Sequence, residues 1–506
     1  MKKSLFLLGL LLVGCLSFAQ TLPDNIDIST SSNGVVALPA NVPSAFINDG
    51  FVKYTKIQCP NGEAIHFVAQ DELSDEQIVR ARTLLEFYLK NVPGTLYGAD
   101  KTTVINTMGT NDALLLLMNG ADGEGPEPSV WGQPLFNDEL PVEGDTWYMT
   151  NDYEHRDAAF EEILHLMHDI GIGVDGPNTI SNPALPAYQA EIRAAQENAE
   201  LINFAIWPIG ADGSGPEPFV QDWYNELSQE NSLSQEYLAS VIDSYYGLWG
   251  AWNEGIDAGM WGIYIAQTRD DIATSDPMGL DVVEKYFSPY INVDMVIDAS
   301  MNGIFSMNFD AGLPYTHKSQ YLQHCYLTGS NNSGLLGNDL YNRLKGNSGD
   351  NTLEGGKGND RLDGNGGQNT AIFSGVYTDY TIVNNVNYAT VEDSTPNRDG
   401  VDTLWNIHTL QFLDQNVNIT LTSSVGVDEE AIGEKNLNFY PNPANQVLNV
   451  ETTQTGNLSI LNITGQEVFR QQLSEGLNKI DVSKLTNGVY LASIDGSYIQ
   501  KLIIQK

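Results

Sequence analysis

A short acidic and histidine-rich segment carries the residue types that catalysis and metal binding require. In HRDAAFEEILHLMHDIGIG, which starts at His155, residues Glu161, His165 and His168 recur at i, i+4 and i+7. With 3.6 residues per turn, these side chains lie along one narrow stripe of a helix. Imidazole and carboxylate suit zinc, and a neighbouring carboxylate such as Glu162 can act as a base. The spacing therefore predicts a helix that carries a metal site.

The segment EEILH, from Glu161 to His165, resembles the HExxH motif of zincin metallopeptidases, with the first histidine replaced by glutamate. Downstream, QEYLA resembles the E-[FY]-[FL]-A segment that supplies the third, carboxylate ligand in some gluzincins. The resemblance implies Glu161, His165 and Glu236 as zinc ligands, with Glu162 polarising the attacking water. Glutamate at position 161 departs from the family pattern and makes the ligand set richer in oxygen. His168 is an alternative second imidazole ligand.

Two other interpretations of this helix stay open at the level of sequence. In the first, Glu161, Glu162, His165 and His168 form the solvated face of an ordinary amphipathic helix in an acidic protein. In the second, the domain is zincin-like but has lost its metal. Serine hydrolase chemistry is not supported, because the chain has no G-x-S-x-G elbow.

Four nine-residue units stand in tandem between Gly337 and Ile372, where glycine, asparagine and aspartate dominate. They read GNDLYNRLK, GNSGDNTLE, GGKGNDRLD and GNGGQNTAI. The sixth place holds Asn342, Asn351, Asp360 and Asn369, and the eighth holds the apolar Leu344, Leu353, Leu362 and Ala371. This period predicts a coil with one short strand and one glycine turn per unit, with the eighth-place side chain pointing inward.

These units resemble the RTX, or haemolysin-type, calcium-binding repeat. The unit GGKGNDRLD, from Gly355 to Asp363, matches the consensus of that repeat throughout. The resemblance implies a parallel β-roll in which calcium binds carbonyl oxygens and the sixth-place side chain. The residues implied as calcium ligands are Asn342, Gly349, Asn351, Gly356, Gly358, Asp360 and Asn369. Since three sixth-place residues are asparagine, with a neutral oxygen, we expect fewer or weaker sites than in long RTX arrays.

The C-terminal stretch from Asn436 to Lys506 alternates apolar and polar residues between tight turns, which predicts a small antiparallel β-sandwich. Three segments closely resemble the type A sorting domain of the type IX secretion system: YPNP from Tyr440, GVY from Gly488, and the basic-ended last strand from Lys501. This resemblance implies the type IX secretion machinery as a partner. It also implies a secreted or cell-surface location.

The charge balance restricts the partners of the chain. Its 24 Lys+Arg against 65 Asp+Glu leave a formal net charge of -41. Such a charge repels nucleic acid and anionic membranes, so we expect cations as partners and no nucleic acid. The first residues predict a signal peptide that is cleaved after Ala19, while a lipobox ending at Cys15 is the alternative. No later stretch is long enough for a transmembrane helix. Pairing of Cys59 with Cys325 is left open.

Together these features predict a multidomain chain. Its parts are a signal peptide (1–19), an N-terminal segment (20–50), an α+β zincin-like domain (51–325), an RTX β-roll (326–375), a β-rich flank (376–420), a linker (421–435) and the sorting domain (436–506). Within the α+β domain we predict helices at 71–89 and 156–170, and strands at 102–108, 113–118 and 146–150.

The predicted function is that of an exported calcium-binding protein with a zincin-like metallopeptidase domain. Calcium is the expected cofactor, with zinc at the EEILH helix. The expected substrate is an extracellular protein or polysaccharide. The alternative is a non-catalytic surface adhesin or polymer-binding protein in which the RTX segment is a calcium-stiffened spacer.

Overall fold

The structure is a computed structural model that divides into two compact units, residues 1–424 and 425–506. It describes residues 21–123, 125–142, 147–174, 182–201, 203–213, 215, 219–385, 387–419, 438–440, 444–452, 456–462, 467–474, 476–494, 497–504 and 506. The predicted signal peptide and linker and the PNP of the YPNP turn lie outside the described residues. No helix in the described ranges has the length and apolar character to cross a bilayer.

The helices of the first unit surround a sheet and supply the residues of the candidate site. They are α1 Ser44–Asn48, α2 Asp75–Leu89, α3 Thr102–Thr110, α4 Ala159–Met167, α5 Pro186–Glu200, α6 Phe219–Glu230, α7 Leu233–Tyr245, α8 Arg269–Ser275, α9 Pro277–Glu284 and α10 Thr316–Ser319. Helix α2 begins later than predicted because Ser74 and Gln77 form a capping box at its start.

Two predicted strands of this unit are wrong. Residues 102–108 belong to α3, in which Val104 and Met108 are buried four residues apart, as on one face of a helix. The β-branched residues of this segment favoured a strand, but tertiary packing overrides that preference. Trp147 to Thr150 form turns instead of a strand, and Thr146 lies outside the described residues.

A five-stranded sheet underlies the helices. Its strands are β1 Val36–Ala37, β2 Lys53–Gln58, β3 Ala64–Ala69, β4 Leu114–Met118 and β5 Gln133–Phe136, in that order across the sheet. The first three pair antiparallel, whereas β4 is parallel to both β3 and β5. Strand β4 is buried along its whole length, with Leu115 and Leu117 facing one core and Leu116 facing another. The central sheet is therefore covered on both faces.

The chain then enters a coil built from two sheets of short strands, which pair in parallel except at one end of each sheet. They are β6 Met295–Ile297, β7 Ile304–Ser306, β8 His324–Leu327, β9 Gly334–Leu336, β10 Arg343–Lys345, β11 Thr352–Glu354, β12 Arg361–Asp363, β13 Thr370–Ile372, β14 Tyr380–Asn384, β15 Ala389–Asp393, β16 Val401–Trp405, β17 Thr409–Gln411 and β18 Asn416–Asn418. Strands two units apart pair in parallel, so that Leu344 lies opposite Leu362 and Leu353 opposite Ala371. The predicted coil of nine-residue units is thus present, with eighth-place residues inside.

Parallel pairing starts earlier than the predicted boundary between residues 325 and 326. Strands β6 and β8 already pair side by side, and Cys325 lies within β8. The coil and the helical part share one continuous core of buried residues. A spacer that is separate from its domain would not share a core with it. Cys59 and Cys325 are both buried and form no disulfide.

Replacing Leu362 with Ala should destabilise the first unit, because its side chain is fully buried between the two sheets. We expect a loss of about 2 to 5 kcal/mol in the free energy of unfolding, measured by urea titration at fixed calcium. The adjacent Arg361, which is exposed, serves as the control, and Arg361→Ala should change stability by less than about 0.5 kcal/mol. Equal effects of the two changes would show that the coil has no packed interior.

The second unit consists of two antiparallel sheets. One contains β19 Asn438–Tyr440, β20 Val447–Thr452 and β23 Gly476–Asp481, and the other contains β21 Gly456–Asn462, β22 Glu467–Leu473, β24 Gly488–Ile494 and β25 Ser497–Ile504. Buried residues from both sheets, among them Leu448, Ile460 and Leu502, form one apolar cluster. This cluster gives the unit a core of its own.

Candidate metal centre

Helix α4 carries Glu161, Glu162 and His165 of the predicted metal site and is buried along its entire length. It packs against α2, α7 and β5, and it continues as a π-helix from His168 to Gly173. Glu161, Glu162 and His165 are exposed by only 5%, 4% and 3%. The interpretation of this stripe as a solvated helix face is therefore wrong. Burying two carboxylates and an imidazole together is costly unless they are paired or bind a metal.

Glu161 and His165 of α4 meet Glu236 of α7, and the ligand atoms of the three residues lie within 4.8 Å of one another. His165 Nε2 is 3.7 Å from Glu236 Oε1. That nitrogen is buried and has no hydrogen-bond partner among the described residues. Two ligands of one tetrahedral zinc, each bonded at 2.0–2.1 Å, lie about 3.3 Å apart. The gap is too long for a hydrogen bond but close to the distance that a shared metal requires.

Glu162 lies on the other side of the same imidazole. Its Oε2 is 3.5 Å from His165 Nδ1, longer than an ordinary hydrogen bond. The same oxygen accepts a hydrogen bond of 2.7 Å from Nε2 of Gln133, at the start of β5. The hydrogen bond from β5 therefore holds Glu162 in place next to the cluster, and its carboxylate is too far from His165 for an ordinary hydrogen bond.

The cluster carries an excess of negative charge, which the pKa values of its members reflect. Burial alone would lower the pKa of His165, but the carboxylates of Glu236, Glu162 and Glu161 outweigh it and raise that pKa to about 10. Burial, together with the charges of Glu161 and Glu162, raises the pKa of Glu236, which the His165 charge opposes. Without a metal, the site thus retains protons that a divalent cation would displace.

Two further carboxyl groups near the cluster are also perturbed. Burial and the charge of Glu161 raise the pKa of Asp243 to about 7, against the opposing charge of Arg156. Burial raises the pKa of Glu139 to about 8, with Arg156 opposing and Glu162 adding to the rise. Several carboxyl groups with raised pKa values in one small volume are typical of functional sites.

Sequence reasoning missed several residues around the cluster. Arg156 Nη2 lies 2.6 Å from Glu161 Oε2, and the guanidinium stacks 4.5 Å from the ring centre of Trp261. Asp243 lies two turns after Glu236 on α7 and accepts a hydrogen bond of 2.8 Å from Trp249 Nε1. The one available signal was the i, i+7 spacing of Glu236 and Asp243, which places both on one face of α7.

His168 is not brought into the cluster. Its Nε2 donates to Gln189 Oε1 at 2.6 Å, and Gln189 in turn donates to Ser234 Oγ at 3.1 Å. Although it shares the stripe, His168 lies two turns along the axis from Glu161, where the π-helix begins. The neighbouring Asp169 pairs with Gln235, and burial raises the pKa of its carboxyl group to about 7. The metal ligand predicted at His168 is replaced by a structural hydrogen bond.

The coil has two edges that differ in their sixth-place residues. On one edge, Asn351 N donates to Asn369 Oδ1 at 2.8 Å, and the Asn351 side-chain amide donates to Ser333 O at 3.0 Å and to Asn347 Oδ1 at 2.9 Å. An amide supplies both a donor and an acceptor, so these asparagines satisfy one another along the edge. The side-chain amides of this edge are therefore engaged in hydrogen bonds.

The other edge contains carboxylates. Asp360 Oδ1 accepts from Asn342 N at 2.8 Å, and Asp360 N donates to Asp402 Oδ1 at 2.9 Å. Asp360 Oδ2 is buried and lacks a hydrogen-bond partner in the described part of the chain. Burial raises the pKa of Asp360 to about 7. Burial, together with the charge of Asp360, raises the pKa of Asp402 well above its usual range. This edge therefore contains two adjacent buried carboxyl groups.

The glycine turns let oxygen atoms converge on the carboxylate edge. A Cβ on Gly337 would lie 2.1 Å from Gly355 O, so only glycine fits there. Gly356 and Gly358 have φ values of +88° and +120°, which other residues rarely adopt. Gly349 lies on the asparagine edge, where a Cβ would clash with Asn331 O at 2.5 Å. Carbonyl and carboxylate oxygens in this arrangement suit calcium.

Comparison with known families matches two parts of the chain. Residues 438–505 match the secretion system C-terminal sorting domain, and residues 334–371 match the RTX calcium-binding nonapeptide repeat in four copies. The resemblances to the RTX repeat and to the sorting domain are thereby confirmed. The protein is secreted or located at the cell surface, its tail implies export by the type IX machinery, and its repeats imply calcium binding.

Comparison with individual proteins adds little. The curated proteins give no match. Among solved structures, the extracellular lipase LipA from Serratia marcescens is 22% identical over 17% of this chain and 17% of the lipase chain, with a TM-score of 0.11. A likeness of this size carries no argument about fold or activity.

Proposed function

We propose that the first unit is a zinc-dependent hydrolase of the metallopeptidase type, exported by the type IX system and stabilised by calcium. The observation that carries this proposal is the buried cluster of Glu161, His165 and Glu236, with an unpartnered imidazole nitrogen aimed at a carboxylate oxygen. The His165 to Glu236 distance is too long for a hydrogen bond and close to the separation of two ligands on one metal.

The chain's own residues fit distinct roles. Glu161, His165 and Glu236 would hold the metal. Bound zinc supplies a Lewis acid that lowers the pKa of water and polarises a peptide carbonyl. Glu162, held by Gln133 beside the cluster, would take the proton from the attacking water and deliver it to the leaving amine. The low exposure of these residues strengthens each electrostatic interaction.

Replacing His165 with Ala tests the ligand assignment. We expect the purified full chain to bind one zinc per molecule and to cleave casein, and His165→Ala to lose both properties. His155, which is exposed and ten residues earlier, provides the control, since His155→Ala should keep both. Metal content is measured by elemental analysis after dialysis. Wild-type protein without bound zinc or cleavage would exclude this function.

We also propose that calcium binds on the carboxylate edge of the coil, between Asp360 and Asp402, and not on the asparagine edge. The unpartnered Asp360 oxygen and the raised pKa values of both carboxyl groups support this position. Asp402 lies beyond the nine-residue units and reaches Asp360 because β16 pairs in parallel with β12. Asn351 and Asn369 then act as a hydrogen-bonded pair that needs no ion on the asparagine edge.

A further inference from the structure

We propose that Arg156 belongs to the metal centre as a charge-balancing residue, which compensates for glutamate at position 161. Its guanidinium neutralises Glu161, so that a Glu, His and Glu ligand set has the net charge of a His, His and Glu set. This inference rests on the proposed zinc site. It explains how an oxygen-rich ligand set can occupy a position where the related motif has histidine.

The contact between Arg156 and Glu161 is close and shielded from water. The two side chains are 7% and 6% exposed, and Nη2 lies 2.6 Å from Oε2. The attraction within a buried ion pair is strong because water does not screen it. Removing one partner leaves an uncompensated buried charge.

The surroundings fix Arg156 in this position. Its guanidinium lies 4.5 Å from the ring centre of Trp261, within the range of a cation–π interaction. Trp261 adopts φ 48°, in the left-handed region that bulky residues avoid. Such strain persists only where the surrounding packing enforces it. The Trp261 ring thus helps to hold the guanidinium against Glu161.

A count of charges shows what the pair achieves. With neutral imidazoles, a His, His and Glu set carries one negative charge, whereas Glu161, His165 and Glu236 carry two. The positive charge of Arg156 returns the set to one. Arginine suits this task better than lysine or histidine because it keeps its proton in any protein environment.

A double-mutant cycle with zinc as the probe tests the proposal. Glu161→His removes the carboxylate that Arg156 neutralises and leaves the buried positive charge of Arg156 beside the metal, and we expect zinc affinity to fall about 100-fold. Arg156→Leu in that background should restore affinity to within about tenfold of wild type. In the wild-type background, Arg156→Leu should not raise zinc affinity. The change should therefore raise zinc affinity only when residue 161 is histidine.

A purely structural role for Arg156 gives a different pattern. The two changes would then add, and the double variant would bind zinc more weakly than either single variant, which would overturn the proposal. Arg156→Lys keeps the charge and should retain zinc within about tenfold even if the leucine variant fails to fold; loss of zinc in a folded lysine variant would also contradict charge balance. Arg361→Leu, at an exposed arginine of the coil, is the control. Wild-type protein that binds no zinc would instead reject the underlying hydrolase function.

Discussion

Glu162→Gln should lower the rate of casein cleavage by about 10²- to 10⁴-fold while leaving one zinc bound. The glutamine keeps the size of the side chain and can still contact Gln133, but it cannot accept the proton of the attacking water. Because Glu162 is not one of the three clustered ligands, the metal should stay in place. The measurement pairs initial rates with metal content on the same preparation.

The same variant separates two roles for Glu162. If its carboxylate mainly orients His165 through the 3.5 Å contact, zinc affinity itself should fall by about 10- to 100-fold. Glu76, an exposed residue of α2, provides the control, and Glu76→Gln should change neither rate nor zinc. Full activity in Glu162→Gln would remove the residue from catalysis.

Asp360→Asn should make the calcium-free protein more stable at pH 8 and abolish most of its response to calcium. Burial raises the pKa of Asp360 to about 7 in the folded state, above the unfolded value near 3.9. The corresponding stabilisation is present below about pH 4 and is lost as pH rises through 7. At pH 8 the ionised group then costs roughly 4 kcal/mol without calcium. An amide at this place is neutral and reproduces the pattern of Asn351 on the other edge.

Thermal unfolding with calcium and with a chelator measures this effect. In wild type, the rise in Tm on adding calcium should be small at pH 5 and large at pH 8, since the cation binds the ionised carboxylates. Asp339→Asn is the matched control, because Asp339 is exposed and pairs with Lys357 on the outside of the coil. A calcium response that is unchanged in Asp360→Asn would place the ion elsewhere.

Much of the candidate site could be predicted from sequence because helical spacing determines which residues share a face. Glu161 and His165 are one turn apart, and a motif resemblance pointed to Glu236 on another helix. The structure brings these three together. His168 fulfilled the same spacing rule, but periodicity does not reveal that Gln189 would bind its imidazole.

Other features depend on tertiary packing that local patterns do not encode. Arg156 precedes α4 in an irregular segment, and only the fold places it between Glu161 and Trp261. The coil begins at β6, where no glycine repeat is present, because its first windings pack against the helical part. Asp402 lies on the carboxylate edge because β16, which follows the antiparallel strands β14 and β15, returns to pair with β12.

Anomalous diffraction at the zinc edge from crystals of the full chain tests the central claim most directly. The account predicts a single strong peak bonded to His165 Nε2 and to carboxylate oxygens of Glu161 and Glu236, at about 2.0 to 2.2 Å from each. A zinc-soaked crystal with no peak at this position, and with His165 still facing Glu236 across a metal-free gap, would contradict it.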